Sequence, residues 1–320
     1  MVFRGIEEIE LIRIIVDSGS DLLPEVACEH DIQVLPLLAN VNGVEYRDGI
    51  DLERDGFYAL LEETGAFPKT SQVSPHAFAE AFKEARDSGD EVIAITLSSA
   101  LSGTYQSAKL AQAMVGEEGV YVVDSLTATY AIAMIAEYAC ALRDEGLSAK
   151  QIVAEIERFK GRVKLVAVLD TLEYLQRGGR LPKAAARLGE AAKLKPVVVI
   201  SEEGEVGLNT AVLGRKRALD TLLKKVAKYS VDAFFPAIPI YSFGTKTCAK
   251  MEDEMIGAGM NLSGRRQIGF VIGSHIGPGA YGGVFVEREE LHRIPRQSVE
   301  SSLRLIPDDI LSACGYHGHR

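Results

Sequence analysis

Tryptophan is absent from this chain, and its four cysteines (Cys28, Cys140, Cys248 and Cys314) stand far apart. That scatter contains no CxxC pair and no zinc-ligand spacing, so neither a disulfide scaffold nor a metal site is expected. Buried, reduced thiols in a cytoplasmic protein are the expectation. Long apolar runs are missing too: none approaches the ~20 residues of a membrane-spanning helix. The N-terminal MVFRGIEEIELIR alternates charged with apolar residues and has no signal-peptide core. Positive charge is in deficit, with 35 Lys and Arg against 45 Asp and Glu and a net charge of −10. Such a balance argues against a nucleic-acid partner, whose phosphates dominate binding. Repeats and low-complexity segments are lacking as well.

What is present describes a globular protein. The chain has 320 residues, 47% hydrophobic and 25% charged, enough for two domains. From Leu11 to about Gly161, apolar strands alternate with helix-period stretches. Expected strands are Ile12–Val16, Val34–Val41, Val92–Leu97 and Val120–Asp124; expected helices are Asp55–Glu63, Pro75–Asp87, Gly103–Val115, Ala128–Glu145 and Ser148–Lys160. This alternation predicts a doubly wound, mostly parallel sheet. Asn42-Gly43 adds a hairpin-type turn.

A second α/β unit begins at Val163–Leu169. Asp170–Leu175 reads as a short helix stopped by Gly178-Gly179, and a basic stretch, Gln176–Lys195, follows. Further strands are expected at Val197–Ile200, Val206–Val212, Ala237–Phe243, Gln267–Ile272 and Val284–Glu287, with helices at Lys216–Tyr229 and Thr245–Gly259. The expected division is 1–162, 163–287 and a polar C-terminal tail, 288–320.

The most informative segment is Val92–Ala111. An apolar strand runs into Ser98, Ser99, Ser102, Gly103 and Thr104, and then into a helix. Unpaired N–H groups, the positive end of the helix dipole and hydroxyl donors converge there, which suits an anion. Hydroxyl-bearing turns recur at Asp17–Asp21, Thr70-Ser71, Asp124–Thr127 and Gly273-Ser274-His275, so that polar loops are expected together at one sheet edge. Ser71, Ser74 and Ser102 also suit simple helix capping. His275, read as directly following a strand, fits an anion donor, a base or a structural histidine.

Two enzyme readings compete. A serine hydrolase would use Ser102 or Ser274 with His275, but Gly273–Gly277 offsets the serine from a GxSxG elbow. A dinucleotide site would use Gly277–Gly282, yet Pro278 removes a donor and the glycines lead toward a strand. Arg177, Arg180 and Lys183, and Arg215, Lys216 and Arg217, form local cationic patches suited to solvent, a phosphate or a partner.

Several segments resemble DegV-like proteins, a fatty-acid-binding family. They are Ile15–Leu22, Gly43–Ile50, Thr70-Ser71-Gln72, Leu101–Ala108, Leu169–Leu175 with Gly178-Gly179-Arg180, and Gly273–Gly279. The similarity keeps motif order from about residue 12 to 286 and departs at Gly19, at Val73 and in the tail. It implies two α/β domains with a long-chain fatty acid between them and no cofactor. The acid's carboxylate would lie at Thr70 and Ser102, with Ser71, Gly103, Ser274 and His275 around it. The resemblance further implies a non-catalytic subunit that presents the acid to a separate fatty acid kinase for acyl-phosphate formation. Arg177, Arg180, Arg215 and Arg217 are then candidates for kinase docking or phosphate contact.

Overall fold

The β-branched runs of the first half pair side by side in the computed structural model, which describes residues 11–181 and 194–289. β1 (Ile12–Asp17), β2 (Ile32–Leu35), β6 (Glu91–Thr96) and β7 (Val120–Asp124) form a wholly parallel sheet in the order β2-β1-β6-β7. Its buried strands are nearly continuous in Ile and Val, as a sheet covered on both faces requires. α3 (Pro75–Asp87) packs with α4 (Thr104–Val115), and α5 (Tyr130–Asp144) with α6 (Ala149–Phe159), against this sheet. Ser74 caps α3 as expected, its hydroxyl accepting from the Ala77 N–H at 3.2 Å.

The expected strand Val34–Val41 is two strands. Pro36 lacks a ladder donor, and the Leu37 N–H donates to the Ser18 hydroxyl at 3.0 Å, so the chain leaves the parallel sheet there. β3 (Leu38–Val41) and β4 (Val44–Arg47) then form a hairpin whose turn residues, Asn42 and Gly43, both have positive φ, 52° and 89°. β5 (Lys69–Ser71) pairs with β3 and completes a small antiparallel sheet. Against it lie α2 (Arg54–Thr64) and α10 (Phe270–Ile276), with the Phe57 and Phe270 rings stacked 4.7 Å apart.

A third, six-stranded sheet occupies the second half, in the order β10-β9-β8-β13-β11-β12. Its strands are β8 (Val163–Val168), β9 (Leu194–Ile200), β10 (Val206–Leu213), β11 (Ile238–Tyr241), β12 (Arg266–Gln267) and β13 (Tyr281–Val286). Strand alternation divides its two faces. Leu165 and Ala167 join the large core shared with the parallel sheet. Val166 and Val168 instead pack with residues of α8 (Arg215–Val226) and α9 (Lys246–Gly257). α7 (Glu173–Arg177) ends at Gly178, as expected.

The expected strand Gln267–Ile272 is corrected. Only Arg266–Gln267 pair as β12, and the chain turns at once into α10, so His275 sits on a helix. The N–H groups of Gly269 and Phe270 are taken by the side chains of Asp21 and Asp48, which starts the helix instead of a ladder. Gly277–Gly279 then turns into β13, the strand-leading geometry that disqualifies a dinucleotide loop. Lys183, Cys314 and 290–320 of the tail lie outside the described residues.

Candidate functional site

Three loops end the parallel sheet at its carboxyl edge, where open α/β sheets bind ligands. The first holds Asp17, fully buried, whose carboxylate accepts from the Gly19 N–H at 2.9 Å and the Leu97 N–H at 2.6 Å. It ties the end of β1 to the end of β6. Burial pushes its pKa up to about 7 against the lowering effect of both N–H groups, and nearby Asp48 adds to the rise.

The second loop ends in Ser102 and Gly103, just before α4. The Ser102 hydroxyl lies 2.9 Å from that of Thr104 and accepts from the Thr104 N–H at 3.3 Å. Gly103 has no Cβ for a reason: one would collide with the Gln72 side chain, which donates to the Ser107 hydroxyl at 2.7 Å. The third loop carries Thr129 at a φ of 54°, strained for a β-branched residue. Its hydroxyl donates to Asp21 at 2.5 Å.

Thr70 and His275 meet from two different elements. β5 presents Thr70, whose hydroxyl is 2.9 Å from His275 Nε2. Burial first, and then the charge of Arg180, push the imidazole down to about 4, so it is neutral at physiological pH. Its Nδ1 is buried without a hydrogen-bond partner among the described residues, and it faces Gly178, where a Cβ would collide with it. Arg180 donates to the carbonyls of Leu101 at 2.9 Å and Gly178 at 2.6 Å, bridging the loop before α4 to the turn after α7.

These groups line one end of a cavity enclosing about 980 Å³ including its open mouth. Thr70, Ser71, Gln72, Ser102, Gly103, Arg180 and His275 supply its polar wall. The remainder is almost wholly aliphatic: Leu97 and Leu101 come from the first half, and Leu165, Ala167, Val198 and Ile240 from the six-stranded sheet. Ile268, Val271, Ile272 and Ile276 reach it from α10 and its approach. A cluster of donors beside an aliphatic wall suits an amphiphile with a small anionic head.

Of the residues singled out from sequence, Thr70, Ser71, Ser102, Gly103, His275 and Arg180 gather here. They do so from two elements, a loop and a turn, not from one sheet edge as expected, because Thr70 and Ser71 lie on β5 and His275 on α10. Ser274 is not in the lining; it is buried and donates to the Phe270 carbonyl at 2.7 Å, a bond within its own helix. Arg177 pairs with Glu173 at 2.7 Å and lies over the Phe67 ring at 3.8 Å. Arg215 is exposed and pairs with Asp170 at 3.5 Å, and Arg217 is exposed on α8.

Sequence reasoning missed the buried charges behind the cavity. Asp21 accepts from the Gly269 N–H at 2.9 Å, and Asp48 from the Ser18 hydroxyl at 3.0 Å and the Phe270 N–H at 2.9 Å. Arg54, largely buried, donates to the Tyr130 hydroxyl at 2.6 Å, to the Asp21 carbonyl at 3.0 Å and to the Gln267 carbonyl. Burial pushes Asp21 up to about 7, opposed by the charge of Arg54. Its native carboxyl therefore keeps a proton that the unfolded chain releases above the ordinary carboxyl value of 3.8. Stability from this group is full below that value and is lost as pH rises toward 7. Asp21→Asn fits both neighbours, its oxygen accepting from Gly269 and its amide donating to Thr129. Between about pH 5 and about pH 8 the wild type is expected to lose more stability than Asp21→Asn, by at most about 3 kcal/mol, in urea denaturation.

Residues 11–288 match the family model described as "Uncharacterised protein, DegV family". The chain belongs to the DegV family. A DegV domain-containing protein of Caldanaerobacter subterraneus subsp. tengcongensis is 34% identical over 281 residues, 87% of this chain and 100% of that one. A DegV family protein of Thermus thermophilus, described for its fatty acid binding, superposes with a TM-score of 0.80 at 34% identity, covering 87% of this chain and 100% of its own. A stearic-acid-binding protein of Eubacterium ventriosum gives a TM-score of 0.80 at 27% identity, covering 86% and 98%. The Thermus and Eubacterium proteins are both described as fatty-acid-binding, and both share the mixed α/β fold seen here. Among the described residues, no helix is long and apolar enough to cross a membrane, and no group of His, Cys, Asp or Glu is arranged to hold a metal ion.

Proposed function

We propose that this DegV protein binds a long-chain fatty acid in the cavity, between an N-terminal domain (1–162) and a C-terminal domain (163–287). The single observation that carries this reading is the juxtaposition of the hydroxyls of Thr70, Ser71 and Ser102 with a wall of Leu, Ile and Val. The carboxylate takes hydrogen bonds from those hydroxyls and from the Gly103 N–H at the start of α4, while neutral His275 donates through Nε2 to the Thr70 oxygen and so turns the Thr70 proton toward the acid. Bonds to an ionised acceptor are about twice as strong as neutral ones. The acyl chain is buried at ~0.8 kcal/mol per methylene, ample after ordering costs. No cofactor is needed for either step.

The protein acts without catalysing a reaction itself, presenting the acid in the cytoplasm to an ATP-dependent kinase that makes the acyl phosphate. Arg180, at the polar wall, stands where it would stabilise an added phosphate, and Arg177, Arg215 and Arg217 lie on exposed surface suited to docking. An acyl hydrolase is less well supported. His275 Nε2 faces Thr70 and not a serine, and Nδ1 meets Gly178 where a triad requires a carboxylate. The carboxylate of Asp124, at the end of β7, is taken up by the N–H groups of Ser99 and Leu126, each at 3.1 Å.

The Thr70→Ala/Ser102→Ala double variant is expected to bind a long-chain fatty acid about 10–100-fold more weakly in titration calorimetry, from the loss of two bonds to a charged group. Unchanged affinity would remove the carboxylate assignment. Adding a bacterial fatty acid kinase and ATP to the loaded protein should yield a hydroxylamine-trappable acyl phosphate.

A further inference from the structure

We infer that Asp48 is a positioning residue for the Thr70–His275 pair, acting through helix α10. The proposal rests on the fatty-acid reading above and adds the device that holds its histidine in place.

The helix that carries His275 does not cap itself. Gly269, its N-cap, has no side chain to offer, and α10 is only seven residues long. Its first N–H groups are satisfied from far away in the sequence. Asp48 accepts from Phe270 at 2.9 Å and from Val271 at 3.4 Å, across separations of 222 and 223 residues. Asp21 accepts from Gly269 at 2.9 Å across 248. A Cβ on Gly269 would press into the Asp21 carboxylate, so glycine lets that carboxylate approach. Asp48 is itself fixed by the Ser18 hydroxyl at 3.0 Å, which also accepts the Leu37 N–H at 3.0 Å.

His275 lies five residues beyond Phe270, about 7.5 Å along the helix axis. At that distance, the seating of the first turn sets where the imidazole falls. Its bond to Thr70, 2.9 Å long, leaves little slack: a further ~1 Å takes it out of hydrogen-bond range. On its other side the ring abuts Gly178, so it cannot recover by rotating away. A carboxylate is the right group at position 48, because its two oxygens accept from two successive N–H groups and a hydroxyl. An amide has one acceptor oxygen and would turn its NH₂ toward the Val271 N–H or the Ser18 hydroxyl.

The test separates headgroup recognition from chain burial. Dodecanoic acid and dodecanol share a chain, and only the acid has a carboxylate for the Thr70–His275 pair to meet. Asp48→Asn is expected to weaken dodecanoic acid about tenfold and dodecanol only about threefold, the smaller loss coming from Val271, Ile272 and Ile276, which α10 also brings to the cavity wall. The His275 imidazole ¹⁵N signals should shift in the same variant. Ser18→Ala takes one donor from Asp48 and the acceptor from the Leu37 N–H, leaves the α10 sequence intact, and should weaken the acid about threefold and the alcohol less. It keeps the test decisive if Asp48→Asn does not fold. Equal losses for acid and alcohol, or no loss for either in Ser18→Ala, would overturn the positioning role. A wild-type protein that does not prefer the acid to the alcohol overturns the fatty-acid reading itself, and this inference with it.

Discussion

Ala167→Phe is expected to abolish tight binding of a long-chain fatty acid while the protein stays folded. Ala167 sits on β8, pairs with Val198 of β9 and Gly282 of β13, and contributes its methyl group to the cavity wall. A phenyl ring there takes the space of about four methylenes, and at ~0.8 kcal/mol each their exclusion costs ~3 kcal/mol, about 200-fold in affinity. The ring enters an existing space, so it does not overpack a filled core. The polar wall is untouched, because Thr70, Ser102 and His275 come from other elements. A short acid such as butanoic acid should bind Ala167→Phe and the wild type alike. Loss of the long acid alone therefore reports the chain-binding space and not the headgroup contacts; calorimetric titration with acids of increasing length distinguishes the two.

Asp17→Asn carries the largest expected cost in stability. Both carboxylate oxygens accept backbone N–H groups, Oδ1 from Gly19 and Oδ2 from Leu97, and the residue is completely buried. An amide satisfies one of those donors and sets its own NH₂ against the other. A buried donor left without an acceptor costs about 1–3 kcal/mol. A destabilisation of about 2 kcal/mol is expected near neutral pH, read as a lower urea midpoint with an unchanged slope. The contrast with Asp21→Asn is instructive. Asp21 faces one N–H and one hydroxyl, and a hydroxyl is able to reverse its role, so the same substitution is accommodated there.

Those buried carboxylates mark where sequence reading stopped. The apolar strand, hydroxyl turn and helix of β6 and α4 are local features, and the Asn42-Gly43 turn dictates its hairpin through backbone preference alone. Thr70, Ser102, Gly103, His275 and Arg180 were legible as polar residues in suggestive turns, and they do share one cavity. The helix beneath His275 was not read. Ile268, Val271, Ile272, His275 and Ile276 all line the cavity at spacings of three and four, a helical stripe that the β-rich Ile268–Ile272 run disguised. What decides in favour of the helix is the capture of its first N–H groups by Asp21 and Asp48, contacts spanning more than 200 residues. The single strand expected through Val34–Val41 breaks at Pro36, whose missing N–H donor is a local feature of the sequence itself. Ser274 stands apart from the lining for a related reason: a serine on a helix turns its hydroxyl to its own backbone, here to Phe270.

The fatty-acid reading is tested most directly by denaturing extraction of the purified protein followed by mass spectrometry of the organic phase. Near-stoichiometric long-chain fatty acid is predicted in the wild type and in Asp21→Asn, with little or none in Ala167→Phe. A wild-type protein that carries no lipid, and takes none up when incubated with long-chain fatty acids, would contradict the account.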